Sequence, residues 1–277
     1  MNIDSSMNNM QNSQGSLLPP NAIQATEFVI KRARELVNQL SIFRRQEAPP
    51  FLARDLASHV GVKDVICADI GEIDGILMRC EDGYVIKVNV NHHEVRRNFS
   101  CAHEIGHIFL DELDKQFSPK NTEWRGGTGI QGDEKERLCN VAAAELLMPM
   151  PIFSKYLADF GLSIDSIERL AHIFKVSIPA AAIRVQEISP ERCRIIRWNR
   201  WQRSRSQGFI QRKTKEPAKQ TYVRDPSPLL KAYKSNKTFE SFRYLEIDKT
   251  RKRCCMESKG FGQDNTRWVL SLVFLDQ

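Results

Sequence analysis

Arg96-Arg97-Asn98-Phe99-Ser100-Cys101-Ala102-His103-Glu104-Ile105-Gly106-His107-Ile108-Phe109-Leu110 embeds the motif HExxH in an amphipathic helical pattern. Residues four apart on a helix lie about 40° apart around the axis. His103 and His107 can therefore offer two imidazoles to one metal ion, while Glu104 sits one step round the helix from His103. A bound zinc ion lowers the pKa of a water from 15.7 toward ~7, and a carboxylate placed as Glu104 is can take the proton when that water attacks a polarised carbonyl. The bland alternative is a packed helix that happens to carry two histidines and a glutamate, so the flanking sequence has to decide.

Two imidazoles leave a catalytic zinc site one protein ligand short. The next strong helical pattern is Asp133 to Met148, DEKERLCNVAAAELLM, which opens with acidic residues suited to a helix N-terminus and stops at Pro149. Glu136, Asn140, Ala143 and Leu147 share one face of it, and the small alanines let that face approach another helix closely. Glu145 stands nine residues beyond Glu136, about 180° round the helix, so only one of the two can point at the metal helix. Spacing alone leaves the choice open.

The two stretches together, RRNFSCAHEIGHIFL and then ERLCNVAAAELLMP, resemble the paired signature of the ImmA/IrrE-type zinc metallopeptidases. The resemblance implies one zinc per chain held by His103, His107 and Glu136, with Glu104 as the catalytic glutamate. It runs from about Pro49 to Arg184, and it departs from the family pattern at Cys139, where alanine is usual, and at Ala142, where an aromatic is common. Both positions read as packing. The resemblance further implies a narrow protein substrate, a helix-turn-helix transcriptional repressor, and hence a role in transcription regulation. A non-hydrolytic zinc-containing regulator and a nucleic-acid-binding protein are the alternative readings.

Around this centre the expected fold class is α+β: a helix-rich, zincin-like metallopeptidase domain with a small β-sheet, then a helical pair, then a small basic β-rich module. The expected divisions are a disordered leader at 1–20, poor in core-forming residues; the peptidase domain at 21–160; the helical pair at 161–188; and the C-terminal module at 189–277. Ala22 to Leu40 has a helical apolar face that includes Ile23, Phe28, Val29, Ala33, Leu36, Val37 and Leu40, and a short helix is expected over Leu52 to Val60. Val65 to Ala68, Gly75 to Arg79 and Tyr84 to Val90 read as strands, the last two joined by a hairpin carrying Asp82-Gly83. A sheet edge beside an HExxH helix can hold a substrate segment as an added strand.

Other features weigh less. His92 and His93 lie in a polar turn and read as solvent-facing, His172 as a core or surface residue, and His59 as a cation near a helix end. The run Arg125 to Gly132 is glycine-rich but lacks the Lys-Ser/Thr of a phosphate-binding loop, which makes it a connecting loop or a rim of the cleft. Leu162 to Arg184 has a helix-turn-helix outline, yet its second helix, expected over Ile178 to Ile183, offers no side chain to read bases before Arg184, and packing is favoured. Seven cysteines without a CxxC pair, and no apolar run long enough to span a bilayer, point to a reduced, cytoplasmic protein with no membrane partner. Cys101 reads as packing.

Charge divides unevenly. From Arg184 onward 22 Lys and Arg face 10 Asp and Glu, while the whole chain carries a net charge of only +7. Apparent strands at Cys193 to Trp198, Phe242 to Ile247 and Trp268 to Leu275 make this stretch β-rich. Trp198, Trp201, Phe209 and Tyr222 interleave with its bases, as do Arg197, Arg200, Arg203 and Arg205. Such a surface suits nucleic acid through phosphate neutralisation and base stacking; the competing expectation is that the aromatics fill a small core.

Overall fold

The structure, a computed structural model, describes residues 22–44, 48–117, 129–189, 192–203, 206–211, 222–223, 227–235, 237–247, 250–263 and 267–275. The expected leader at 1–20 and the first half of the glycine-rich run, residues 125–128, lie outside the described residues.

Helix α1 (Ala22–Arg44) buries Ala25, Val29, Ala33, Leu36, Val37 and Leu40, a spacing that keeps one apolar stripe on one side. Ile23, expected on that stripe, is instead exposed in the first turn. Short α2 (Ala53–Ala57) leads through a 3-10 turn (Ser58–Val60) to Gly61, whose φ of 79° closes the turn in the left-handed region. Three strands follow: β1 (Val62–Ala68), β2 (Gly75–Cys80) and β3 (Gly83–Asn89). Their sheet order is β1-β3-β2, with β1 parallel to β3, and with β2 and β3 forming the expected antiparallel hairpin. Gly83 is required there because a Cβ would stand 2.3 Å from the Gly61 carbonyl oxygen, which accepts a hydrogen bond from the Tyr84 N–H at 3.0 Å.

The HExxH segment lies in α3 (Glu94–Phe117), and the alanine-rich segment in α4 (Gly132–Leu147), ending before Pro149. Cys101, Ala102, Ile105, Ile108, Phe109 and Leu113 form the buried side of α3. Gly106 lies where the two helices cross: a Cβ on it would be 2.8 Å from the Cys139 Cα and 3.2 Å from the Ala142 Cβ. A bare α-carbon thus lets the backbones meet. Helices α5 (Met150–Phe160), α6 (Ile164–Ile173) and α7 (Ile178–Ile188) follow, and residues of α1 to α7 share one continuous apolar core. Ser163 and Ser177 cap α6 and α7 by accepting N–H bonds from Ser166 and Ala180. Helix α7 runs a full turn beyond the expected Ile183, and Arg184 within it is buried against the core.

Strands β4 (Cys193–Arg203), β5 (Ser206–Gln211), β6 (Tyr222–Val223), β7 (Phe239–Ile247), β8 (Thr250–Phe261) and β9 (Trp268–Phe274) form an antiparallel sheet ordered β6-β5-β4-β9-β8-β7. Helix α8 (Ser227–Lys234) packs on it so closely that a Cβ on Gly260 would meet the Ala232 carbonyl oxygen at 2.1 Å. Cys193, Phe261, Leu270 and Leu272 join the main core, which ties the sheet to the helices. The Ile164 N–H at the start of α6 donates to Glu257 at 2.8 Å, and Lys259 reaches Asp165 and Glu168 at 3.0 and 2.6 Å. The described residues therefore form a helix-rich α+β fold with two separate sheets. No described helix is long and apolar enough to cross a membrane.

Glu145 decides how the helices lock. Its side chain is 1 % exposed, and one oxygen accepts from Arg34 on α1 at 2.6 Å and from the Met150 N–H at 3.1 Å. The other pairs with Arg184 on α7, whose guanidinium also donates to the Met148 carbonyl at 2.8 Å. Removing one partner of a buried pair leaves an uncompensated charge. Glu145→Ala should therefore lower unfolding free energy by about 3 kcal/mol, measured by urea denaturation.

Candidate metal centre

The helix crossing at Gly106 aims four polar side chains at one another. His103 and His107 project from α3 with ring centroids 5.1 Å apart and nearly perpendicular planes. The Glu136 carboxylate on α4 lies 3.1 Å from His103 Nε2 and 3.8 Å from His107 Nε2. On the far side of His103, Nδ1 lies 3.1 Å from Asn140 Oδ1. With Nδ1 donating its proton to that oxygen, the Nε2 lone pair is turned toward Glu136 and free to bind a metal. Asn140, one turn beyond Glu136 on the α4 face, thus orients His103.

Burial pushes the His107 pKa down, and proximity to His103 adds to this, so the neutral, metal-competent imidazole is favoured. Glu104 is almost wholly buried, at 8 % exposure. Desolvation pushes its pKa up from the ordinary carboxylate range, as does the Glu136 charge; His103 and a hydrogen bond from the Leu77 N–H act the other way. Gly75 clears the space for it, because a Cβ there would stand 2.9 Å from Glu104 Oε1. Strand β2 therefore borders the carboxylate directly, and β2 is an outer strand of its sheet.

Two imidazole nitrogens with a carboxylate 3.1 and 3.8 Å away are a donor set that zinc accepts. A second trio also converges: ligand atoms of His103, His107 and Cys139 all lie within 4.8 Å of one another. Glu136 is half exposed, whereas Cys139 is fully buried and its thiol is pushed up to about 12, mainly by burial. Glu136 and Cys139 can each offer a donor toward the two imidazoles. The competing Glu145 is occupied elsewhere by Arg34 and Arg184.

The remaining expectations sort by burial. Cys101 is buried and likewise pushed up to about 12 by burial, in keeping with packing. His93 and His172 are exposed, and His59 is half-buried beside Gly61. His92 is a correction: it is half-buried with Nδ1 3.1 Å from Asp74 Oδ1, because the turn folds back toward the β1–β2 connection. Trp198 is completely buried and donates from Nε1 to Ser271 Oγ at 2.9 Å, which is the core-filling role weighed against a nucleic-acid surface. Arg197 stacks over the Trp268 ring at 4.4 Å. The side chains of Trp201, Phe209, Tyr222, Arg200, Arg203 and Arg205 lie outside the described residues. Gly75, Leu77 and Gly106 escaped the sequence reading, although a glycine inside a helical pattern is itself a signal of close packing.

An HExxH helix whose histidines meet a carboxylate from the following helix, next to a buried glutamate, is an arrangement suited to metal-dependent hydrolysis. Residues 57–186 match the model of the IrrE N-terminal-like domain family. The chain is 36% identical over 106 residues to the radiation response metalloprotease IrrE of Deinococcus radiodurans, covering 38% of this chain and 32% of that protein. It is 35% identical over 104 residues to the IrrE of Deinococcus deserti, covering 38% and 36%. The chain thus spans about a third of the length of these curated relatives. A Mycobacterium tuberculosis transcriptional regulator shares the fold, with a TM-score of 0.52 over 91% of this chain and 81% of that one at 12% identity.

The contact at Gly106 is open to test. Alanine in place of a mid-helix glycine ordinarily stabilises by about 0.5–1 kcal/mol. Here the added methyl meets backbone, so Gly106→Ala should instead cost about 1–3 kcal/mol and weaken zinc binding, read by chemical unfolding and by competition with a chromogenic chelator.

Proposed function

We propose that this protein is a zinc-dependent metallo-endopeptidase in which His103, His107 and Glu136 hold one ion and Glu104 is the general base. The convergence of these four side chains at the edge of β2 supports the reading. Zinc in that position supplies Lewis-acid polarisation of a peptide carbonyl and an acidified water. Glu104 then does the proton work. Its raised pKa moves it toward the range in which a carboxylate both accepts a proton and returns it to a leaving amine. Leu77 fixes the carboxylate through its N–H, and Asn140 fixes the ring of His103.

The substrate segment lies along β2 as an added strand, main chain to main chain, which brings its carbonyl past Glu104. The preferred substrate is a helix-turn-helix transcriptional repressor, on the family resemblance carried by the two helices, and the setting is cytoplasmic. Burial of Trp198 and Arg184 removes two of the groups that favoured direct nucleic-acid contact.

Purified wild-type protein should carry close to one zinc per chain by elemental mass spectrometry. Glu136→Ala should lower zinc affinity by more than the ~10–100-fold typical for loss of an outer partner. Glu104→Gln should keep the metal yet yield no fragments when incubated with a helix-turn-helix repressor encoded beside it. Gly75→Ala should keep the metal and slow cleavage, because the added methyl displaces the carboxylate. Cleavage by Glu104→Gln would remove Glu104 as the general base, whereas an intact regulatory effect without cleavage would replace this reading with that of a non-hydrolytic regulator.

A further inference from the structure

Cys139 is three residues beyond Glu136 on α4 and has no solvent exposure. Its sulfur belongs to the trio of ligand atoms, with His103 and His107, that lie within 4.8 Å of one another. The approach is enforced by backbone rather than by side-chain flexibility, since the Cys139 Cα sits against Gly106, between the two histidines in sequence. Among the described residues the thiol has no hydrogen-bond partner, whereas the buried thiol of Cys193 donates to the Ser189 carbonyl at 3.6 Å. Tetrahedral zinc with bonds of about 2.0–2.1 Å to nitrogen and about 2.3 Å to sulfur sets N and S roughly 3.5 Å apart, the spacing to which this trio would close around an ion.

We propose that Cys139 is itself a ligand to the ion held by His103 and His107, so that the resting centre has two imidazoles, the Glu136 carboxylate and a thiolate. This rests on the metal site of the preceding reading and goes beyond it. A catalytic zinc site has three protein ligands and keeps a position open for water, while four protein ligands close it. With Cys139 as a fourth protein ligand the site would have no open position for a water beside Glu104. The thiol gives up its proton to solvent on binding and regains one on release. Zinc is borderline soft and favours thiolate over a half-exposed carboxylate, which gives the closed form its stability.

The test is X-ray absorption at the zinc edge on the full wild-type chain, together with cobalt(II) substitution of wild type, Cys139→Ala, Cys139→Ser and Glu136→Ala. The expected result is one sulfur scatterer at about 2.3 Å in the zinc protein. In the cobalt protein a sulfur-to-metal charge-transfer band should appear in wild type and Glu136→Ala and vanish in both Cys139 variants, with cobalt still bound by its visible bands. A zinc shell of nitrogen and oxygen alone, or a sulfur signal that persists without Cys139, overturns the proposal while leaving the peptidase reading in place. Failure of wild type to bind either metal overturns both.

Discussion

The contact between α3 and α4 at Gly106 is the constraint from which the rest of the centre follows. Two helices seldom approach to the point where a methyl group would overlap a backbone Cα, and here one residue without a side chain permits it. That separation sets how far the α4 side chains stand from the histidines: the Glu136 carboxylate lies 3.1 and 3.8 Å from the Nε2 atoms, Asn140 meets the opposite ring nitrogen of His103, and the Cys139 sulfur comes within 4.8 Å of a ring nitrogen of each. A wider crossing would leave two half-buried imidazoles facing water instead of a converging set of donors.

Of the three glutamates on helix α4, Glu136 and Glu145 sit in opposite surroundings, and burial separates them. Glu145 is sunk among α1, α5 and α7, where two guanidiniums and a backbone N–H satisfy it. A carboxylate so fully compensated has no capacity left for a cation. Glu136 keeps half its surface in water, so it pays little desolvation penalty and retains oxygens free for an ion. The same logic removes Arg184 from any role in reading nucleic acid: its guanidinium holds α7 to the end of α4, which makes the helical pair a part of the packed core. In the C-terminal sheet, Trp198 and the bonded Ser258 and Ser271 hydroxyls form a small polar knot inside a second apolar cluster. Positive charge there coexists with aromatics that serve packing.

Glu104 illustrates how the two halves of the site depend on each other. Its helix supplies the position, but its burial comes from β2, where Gly75 makes room and Leu77 donates an N–H. Desolvation and that hydrogen bond act on its proton affinity in opposite senses, and desolvation is the larger. The catalytic character proposed for this residue is thus a property of the packed sheet and helix together.

Much of this was legible in the chain itself. HExxH spacing places two imidazoles on one helical face whatever surrounds it, because helical periodicity is local. The 3.6-residue rhythm of α1 and α4, the stop at Pro149 and the Asp82-Gly83 hairpin are local for the same reason, and the three strands before α3 appear where alternation indicated them. What local pattern could not decide was every question of which face meets what. The choice between Glu136 and Glu145, the partner of Asn140, the proximity of Cys139 to the histidines and the burial of Trp198 each depend on residues tens of positions away. Such contacts arise only when the helices and sheets close on one another, since distances between elements are set by packing, which sequence periodicity does not encode.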